Sequence, residues 1–543
     1  MRINYPMGKI VKIKHTVDYY IKISDDRLAE GDALGAISAI RSGIDALPKS
    51  EKRDSLYIVL GQLYFGIELY DISNYYLYKA YHIAPLRACA CFCIGRNLIK
   101  LKRYDVADLY FARCLDYDTA YKFTDFVAEW ISYAKREAPK HNLQTCEERM
   151  LTEAKLHLSA KDYPAALQVL AQLPGEHPFL EETLYLEASA YFLTGDLLSA
   201  RESAKALLRL NPESVLGYCL LINICHNEED QHSLEQNLNT LLELPAETKQ
   251  EIYRVALTLA RCGKHKDCKP YFDKLLELDE YNVKALFFYS VACYQAGETD
   301  NALFHISRAK WIDYDNKILD FFYNFYRQGI AINFPEYVFQ LPADIARSKL
   351  EELERCLKQG EAVNTLINTS HFLLDDIEWS FSLHSAAITA FVAEKLDGIK
   401  NKKTDLLMHH ALINNFNTDR QKYEVLRQRF LSGSGKTIDF VADYRYRSLK
   451  PTVPGAISLG CTYRQAYIDA SCFTECFAPD YNLDKTHKKV FPLIAAAPYL
   501  DIGLPVLTCL ILSEQTAVLA AACRFFKSEE SKVEELRKLL KMY

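Results

Sequence analysis

Residues 60–85 read LGQLYFGIELYDISNYYLYKAYHIAP, and the pattern that repeats along this chain is clearest here. Gly61 is small enough to let two helices approach closely, and Ala80 follows nineteen positions later. Pro85 closes the stretch, as expected where one helix ends just before the next begins. The stretch therefore predicts a pair of helices joined by a short turn.

The same spacing recurs further along the chain in constant steps of about 34 residues, within the range of repeats built from one small structural unit. Each unit has a small or apolar anchor, and a second small or apolar residue stands twelve positions after it. Further apolar residues follow at offsets of three and four, which place them on one face of the second helix. The anchors are Ala154, Ala188, Ile222, Ala256 and Ser290, and their partners are Ala166, Ala200, Leu234, Cys268 and Ala302. The pattern predicts five helix pairs in register.

The unit anchored on Ile222 fits this pattern least well. Its anchor is large, and its turn lacks the glycine that Gly195, Gly263 and Gly297 provide in three of the other units. Glycine readily adopts the positive φ that ends a helix. We therefore expect a distortion in this unit.

This pattern resembles the tetratricopeptide repeat, which has a period of ~34 residues and small, aromatic and proline positions at these intervals. The resemblance covers about eight units between residues 15 and 330. It implies an all-α fold, a right-handed superhelical solenoid of antiparallel helix pairs, followed here by a C-terminal α-helical domain.

The register breaks once, between Gly95 and Ala154, whose separation exceeds one period without reaching two. The surplus predicts an extra helix in FTDFVAEWISYAKREA and a seam in the array. The predicted segments are residues 1–119 with about three repeats, 120–148 with the extra helix and seam, 149–334 with five repeats, and 335–543 as a C-terminal α-helical region.

The C-terminal region keeps helical patterns but loses the register. Residues 404–433 read as two short helices, with Thr418-Asp419 at the start of the second. Such pairs vaguely resemble HEAT-like units.

Composition excludes some classes of partner. The net charge is −6 and no basic block is present, so nucleic acid is not the expected partner. The apolar stretch Val490–Phe526 is interrupted by prolines and acidic residues, so no membrane insertion is expected. The N-terminus has no apolar signal segment, and the cysteines stand in apolar helical stretches. These features favour a cytoplasmic protein.

No catalytic, cofactor-binding or metal site is predicted. The segment SGSGKT at residues 432–437 ends like a phosphate-binding loop, but it lacks the first glycine and a preceding strand. We interpret it as a linker between helices. His409 and His410 are adjacent on a predicted helix and point about 100° apart, so they do not form a metal site by themselves.

A partner-binding surface follows from the resemblance, since in tetratricopeptide repeats the first helix of each pair lines the concave side. Aromatic residues and arginine are enriched at binding hot spots, and amides can bond a peptide backbone. Packing between repeats is the alternative role for each aromatic residue. The candidate residues on first helices are Asn223, His226, Asn227, Tyr253, Arg254, Arg261, Phe288, Tyr294 and Gln295.

The leading hypothesis is a non-enzymatic scaffold or adaptor that binds a protein or peptide segment in the concave groove. Two alternatives stay open: a regulator that senses a peptide and changes the superhelix, and an enzyme with its chemistry in the C-terminal third. The Lys, Asn and Arg set with which some tetratricopeptide proteins hold a C-terminal carboxylate is not found here.

Overall fold

A computed structural model describes most of the chain. The described residues are 16–142, 145–159, 163–329, 337–359, 362–397, 399, 401–432, 437–450, 468–469, 471–473, 475–477, 522–523 and 525.

Contacts between Cα atoms divide the chain into two compact units. The first contains residues 1–124 together with 343–543, and the second contains residues 125–342. The division into four segments expected from the sequence stays a prediction.

The N-terminal part of the first unit is built from helix pairs. α1 packs on α2, α4 on α5 and α6 on α7, and a short 3-10 helix, Ala84–Leu86, precedes α6. The helices are α1 (Val17–Ala29), α2 (Ala33–Ala46), α3 (Glu51–Asp54), α4 (Leu56–Gly66), α5 (Tyr70–Tyr81), α6 (Arg87–Lys100) and α7 (Tyr104–Tyr117).

The second unit contains five helix pairs. α8 comes first, the pairs run from α9 with α10 to α17 with α18, and α19 packs on the last pair. The helices are α8 (Thr124–Asn142), α9 (Cys146–Ser159), α10 (Tyr163–Leu170), α11 (Leu180–Thr194), α12 (Leu197–Leu210), α13 (Val215–Asn227), α14 (Gln231–Glu243), α15 (Lys249–Arg261), α16 (Lys269–Leu278), α17 (Val283–Gln295), α18 (Thr299–Ile312) and α19 (Lys317–Gln328).

The small residues that define the repeat lie between the paired helices. Ala188 and Ala256 are fully buried, and so are their partners Ala200 and Cys268. In the first unit a Cβ added to Gly61 would come within 2.7 Å of the Leu77 side chain on α5. The spacing in the sequence is thus the spacing of close helix contacts, and the predicted all-α fold of helix pairs is confirmed.

The turns inside the pairs share one backbone conformation. Positive φ values occur at Gly195, Glu229, Gly263 and Gly297, which occupy the same position in four successive repeats. The next N–H then bonds a carbonyl five residues back, as from Asp230 to Cys225 at 3.0 Å, which is the hydrogen bond of a Schellman helix end. The unit at Ile222 keeps this turn without glycine, so the distortion expected there is not observed at the turn.

The C-terminal part of the first unit contains, within the described residues, six helices with defined bounds and one hairpin, and residues 468–469, 471–473 and 475–477 are also helical. Its apolar core is built around side chains such as Ile377, Val392 and Leu426. The elements are α20 (Ala343–Leu357), α21 (Ala362–Thr369), α22 (His371–Phe381), α23 (Ala386–Asp397), α24 (Lys402–Ile413), α25 (Asp419–Ser432), β1 (Ile438–Ala442) and β2 (Arg445–Leu449).

The β1–β2 hairpin is not expected from the sequence, which predicts only helices here. The strands are antiparallel, and Ala442 pairs with Arg445 across a two-residue turn. Asp443 and Tyr444 in this turn have φ values of 48° and 60°, and positive φ at both central residues is what a type I′ hairpin turn needs. The resemblance of this region to HEAT-like units stays a prediction.

Within the first unit, the hairpin docks on the second helices α5 and α7. The carbonyl oxygen of Tyr444 accepts hydrogen bonds from the hydroxyls of Tyr78 at 3.1 Å and Tyr110 at 2.8 Å. The Tyr446 ring lies 4.2 Å from the Tyr81 ring, between centroids, and Arg113 donates to the Tyr446 carbonyl at 3.0 Å. Both buried tyrosine hydroxyls of the repeats therefore have partners in the hairpin.

Ion pairs surround the hairpin turn. Arg103 pairs with Asp443 at 2.8 Å, and Arg445 pairs with Asp105 at the same distance. The Tyr444 hydroxyl donates to Asp71 at 2.8 Å. The charged groups at this contact are matched within the unit.

Candidate functional site

The nine candidate residues lie on α13, α15 and α17, the first helices of three successive pairs in the second unit. Asn227, Arg261 and Gln295 are the last residues of these helices and follow one another at intervals of one repeat. Arg254 and Phe288 are also one period apart. The repeat thus places equivalent positions side by side on neighbouring first helices.

Arg254 and Arg261 are two turns apart on α15 and therefore lie on the same side of this helix. Arg254 is exposed and Arg261 is half-buried. The guanidinium carbon of Arg254 lies 6.0 Å from the centroid of the Tyr185 ring on α11, within the range of a cation–π contact. Among the described residues, neither arginine has a carboxylate at ion-pair distance.

The surroundings of Arg261 shift the pKa of its guanidinium group. Burial lowers its pKa, and the positive charge of Arg254 lowers it further, whereas Tyr253 and Tyr185 act in the opposite direction. An arginine stays protonated at neutral pH even with a lowered pKa. Two like charges are therefore held near each other beside two aromatic rings, an arrangement that an anionic group would stabilise. We refer to Tyr185, Tyr253, Arg254 and Arg261 as the arginine-pair site.

Tyr253 and Phe288 connect this site to the next repeat. Their ring centroids are 6.4 Å apart, and Tyr253 is half-buried, so that burial raises the pKa of its hydroxyl. Phe288 is only 4% exposed and lies 6.4 Å from the ring of Tyr337, a residue that follows α19. In this structure Phe288 packs inside the unit, which is the alternative role considered for each aromatic candidate.

Asn223 bridges two first helices. Its amide nitrogen donates to the Cys219 carbonyl on α13 at 2.6 Å and to the Thr258 hydroxyl on α15 at 3.2 Å. Both donor hydrogens of the amide are therefore used inside the protein. The geometry gives Asn223 a role in holding α13 against α15.

The remaining candidates lie at the C-terminal ends of their helices. His226 and Asn227 are exposed, whereas Tyr294 and Gln295 are half-buried. The Tyr294 ring stacks on the Tyr326 ring of α19 with centroids 4.3 Å apart. The candidates thus do not form one cluster, and Tyr294 is partly covered by its own unit.

Within the described residues, the fold is defined by three helix pairs in the first unit, by five pairs in the second unit that recur at a constant step, and by a repeated left-handed turn. This is a tetratricopeptide-type fold. No family model matches the sequence, and no curated protein matches it.

Solved structures with the same type of repeat are similar to this chain at low identity. Yeast Tom70 is 11% identical, and the match covers 89% of this chain and 96% of Tom70 with a TM-score of 0.29. The TPR domain of P58(IPK) is 14% identical, with 66% and 98% coverage and a TM-score of 0.22. A tetratricopeptide repeat protein from Parabacteroides merdae is 12% identical, with 57% and 98% coverage and a TM-score of 0.23.

Sequence reasoning missed Tyr185 as a site residue of this tetratricopeptide-type array. It lies on α11 and occupies the same repeat position as Tyr253, two periods earlier. Its ring is only 6% exposed but faces Arg254. A comparison of the residues at the Tyr253 position in all repeats would have identified Tyr185.

The segment that resembles a phosphate-binding loop lies between α25 and β1. Gly433, Ser434, Gly435 and Lys436 are outside the described residues. A helix precedes them and a strand follows them, whereas a phosphate-binding loop needs a strand before it and a helix after it. The flanking geometry therefore does not favour nucleotide binding, although the predicted linker joins a helix to a strand and not two helices.

The part of the chain that the structure describes contains neither a metal cluster nor a membrane-spanning helix. There, no group of three or more His, Cys, Asp or Glu side chains is arranged to hold a metal ion. None of the described helices is long and apolar enough to cross a membrane. Most of the apolar stretch Val490–Phe526 lies outside the described residues.

Proposed function

We propose that the protein is a non-enzymatic cytoplasmic scaffold whose second unit binds an extended protein segment along its first helices. The observation that carries this proposal is the arginine-pair site, where Arg254 and Arg261 have no carboxylate partner in the described structure. Other arginines of the protein are matched, as Arg103 is by Asp443 and Arg201 is by Glu228.

The chemistry of the site favours an acidic residue in the bound segment. Arginine binds carboxylates through two parallel hydrogen bonds, and charge-assisted bonds of this kind are stronger than neutral ones. Arg261 is half-buried, so its charge is less screened by water and attracts an anion more strongly. The exposed side chains of His226 and Asn227 extend the surface on the neighbouring helix α13.

Affinity purification of the full-length protein from its own cells tests this function. The test variant is Arg254→Glu with Arg261→Glu, and the matched control is Lys205→Glu with Arg209→Glu on the exposed side of the second helix α12. Both double variants change the net charge equally. We expect the test variant to lose at least one co-purifying protein that the control retains.

The lost protein is then used in a direct measurement. Its acidic segments are bound as labelled peptides to purified wild type and to both double variants. We expect the test variant to weaken binding by about tenfold or more, as is typical for a binding hot spot. Identical co-purifying proteins and identical affinities in all three forms would contradict the proposal.

A further inference from the structure

A second surface of the second unit lies on the outer side of α18. Phe304 and Trp311 are seven residues apart on this helix, which places them on one side, and they are 57% and 58% exposed. The opposite side of α18 contributes the buried Ala302 and Ile306 to the repeat core. The two exposed rings are therefore not needed for packing the array.

A groove lies beside these rings. It has a volume of about 420 Å³ and is bounded by Phe304, Trp311, Arg308 and Asp300 on α18 and by Tyr323 and Arg327 on α19. The side chain of Trp311 makes no hydrogen bond or ring contact within the described residues. Its indole N–H is thus available as a donor for a bound molecule.

The charges in the groove are unevenly matched. Arg308 lies 5.8 Å above the Phe304 ring, and within the described residues its one hydrogen bond is to the Glu280 carbonyl at 3.4 Å. Arg327 lies 5.8 Å above the Tyr323 ring. No carboxylate of the described chain is at ion-pair distance from either arginine, whereas nearby Lys310 is paired with Asp320 at 2.7 Å.

We propose that the α18–α19 groove docks an acidic amphipathic helix of a partner protein. The apolar side of that helix covers Phe304 and Trp311, and its carboxylates pair with Arg308 and Arg327. This site is distinct from the arginine-pair site, and neither proposal depends on the other.

The shape and chemistry of the groove favour this occupant. From Asp300 to Trp311 the α18 surface is about 16 Å long at ~1.5 Å per residue, which matches about three turns of a second helix. Tryptophan and arginine dominate binding hot spots, and an amphipathic helix in an apolar groove is a common mode of recognition. Asp300 carries the single negative charge at the far end of the groove, two helical turns from Arg308.

Two designed helical peptides provide the probe for this site. They carry the same stripe of leucine and tryptophan, one with glutamate and the other with lysine at every polar position. Their binding to the full-length protein is measured by fluorescence anisotropy. We expect the glutamate peptide to bind about tenfold more tightly or better, and Trp311→Ala and Arg327→Glu each to weaken it by about tenfold.

Three controls make the result specific. Leu198→Ala removes an apolar side chain that is more exposed than Trp311, at 77%, from the second helix α12, and it should leave binding unchanged. Arg254→Glu with Arg261→Glu should also leave binding unchanged, which separates this groove from the arginine-pair site. Sedimentation of the wild type and Trp311→Ala shows whether a second copy of the chain occupies the groove.

Several outcomes would overturn this proposal. They are equal affinity for both peptides, no binding of either peptide to the wild type, unchanged binding to Trp311→Ala, loss of binding in the Arg254 and Arg261 variant, or a wild-type dimer that Trp311→Ala converts to a monomer.

Discussion

The helix pairs of the two units have the same repeat, but their polar side chains differ in whether another element of the chain binds them. In the first unit, Tyr78 and Tyr110 of the second helices bond the hairpin turn, and Arg103 is paired with Asp443. In the second unit, Arg254 and Arg261 of α15 have no carboxylate partner among the described residues. The repeat determines the positions of the side chains. Whether a side chain already has a bonding partner depends on the other elements of the chain that pack against it.

The difference identifies the surfaces that are available for binding. A buried polar group needs a partner, and the hairpin supplies one for the tyrosines of α5 and α7. Within the described residues, no element supplies a carboxylate for Arg254, Arg261, Arg308 or Arg327 of the second unit. On this basis the first unit's second-helix surface is structural, and the second unit's two arginine-rich surfaces are candidates for partners.

Removal of the hairpin contact gives the largest expected effect. Tyr446 is 3% exposed, so Tyr446→Ala should destabilise the first unit by about 3–5 kcal/mol, as for other buried aromatic residues. The matched change in the second unit, Trp311→Ala, removes an exposed ring and should alter stability by no more than about 0.5 kcal/mol. Hydrogen exchange in increasing urea reports the two units separately. Unchanged protection of α5 and α7 in Tyr446→Ala would show that the hairpin is not part of the first unit's stable structure.

Acidification should lower the stability of the second unit because of His305. This side chain is buried and stacks on Tyr289 with centroids 4.0 Å apart, and burial, with the nearby charge of Arg308, lowers its pKa to about 4. Between this value and the ordinary pKa near 6.5, the unfolded chain binds a proton that the folded chain does not. Stability therefore falls as the pH falls through this window, by up to about 1.4 kcal/mol per pH unit.

The variant His305→Gln isolates this effect, because glutamine does not titrate. The stability difference between wild type and variant, measured by hydrogen exchange in α17 and α18, should change between pH 7 and pH 4.5 and stay constant above pH 7. The same comparison in the first unit should show no change. A difference that is independent of pH would contradict the assigned role of His305.

The smallest effect concerns the turn of the least regular repeat. Glu229 has a φ of 59° where neighbouring repeats have glycine, and a non-glycine residue in this region is disfavoured by roughly 1–2 kcal/mol. Glycine loses more backbone entropy on folding, so Glu229→Gly should stabilise the second unit by only about 0.5–1 kcal/mol. Gly263→Ala should have the opposite sign. Urea denaturation of both variants checks these signs, and destabilisation by Glu229→Gly would contradict the account of the turn.

The sequence predicts the repeat well because its determinants are local. Ala188 and Ala256 must be small where two helices touch, and this requirement recurs once in every repeat. The lack of glycine at Glu229 predicts an irregular turn, yet the Schellman hydrogen bond forms there too. Backbone geometry at this position tolerates a residue that sequence statistics disfavour.

The hairpin and the state of the site residues depend on distant contacts. The hairpin turn consists of Asp443 and Tyr444, without the Asn-Gly or Asp-Gly pair that usually signals a hairpin, so its strands are not evident from the sequence. Phe288 and Asn223 occupy first-helix positions as predicted, but Tyr337 covers the first and Thr258 engages the second. Spacing gives the position of a side chain, whereas its availability depends on what packs against it.

Site-specific photocrosslinking tests the central claim most directly. A benzoylphenylalanine at position 226, exposed on α13 beside the arginine-pair site, is compared with one at position 198, exposed on α12. Position 226 should crosslink the protein that is lost from the Arg254→Glu, Arg261→Glu variant, and position 198 should not. Crosslinking of that protein from position 198 alone, or equally from both positions, would contradict binding along the first helices.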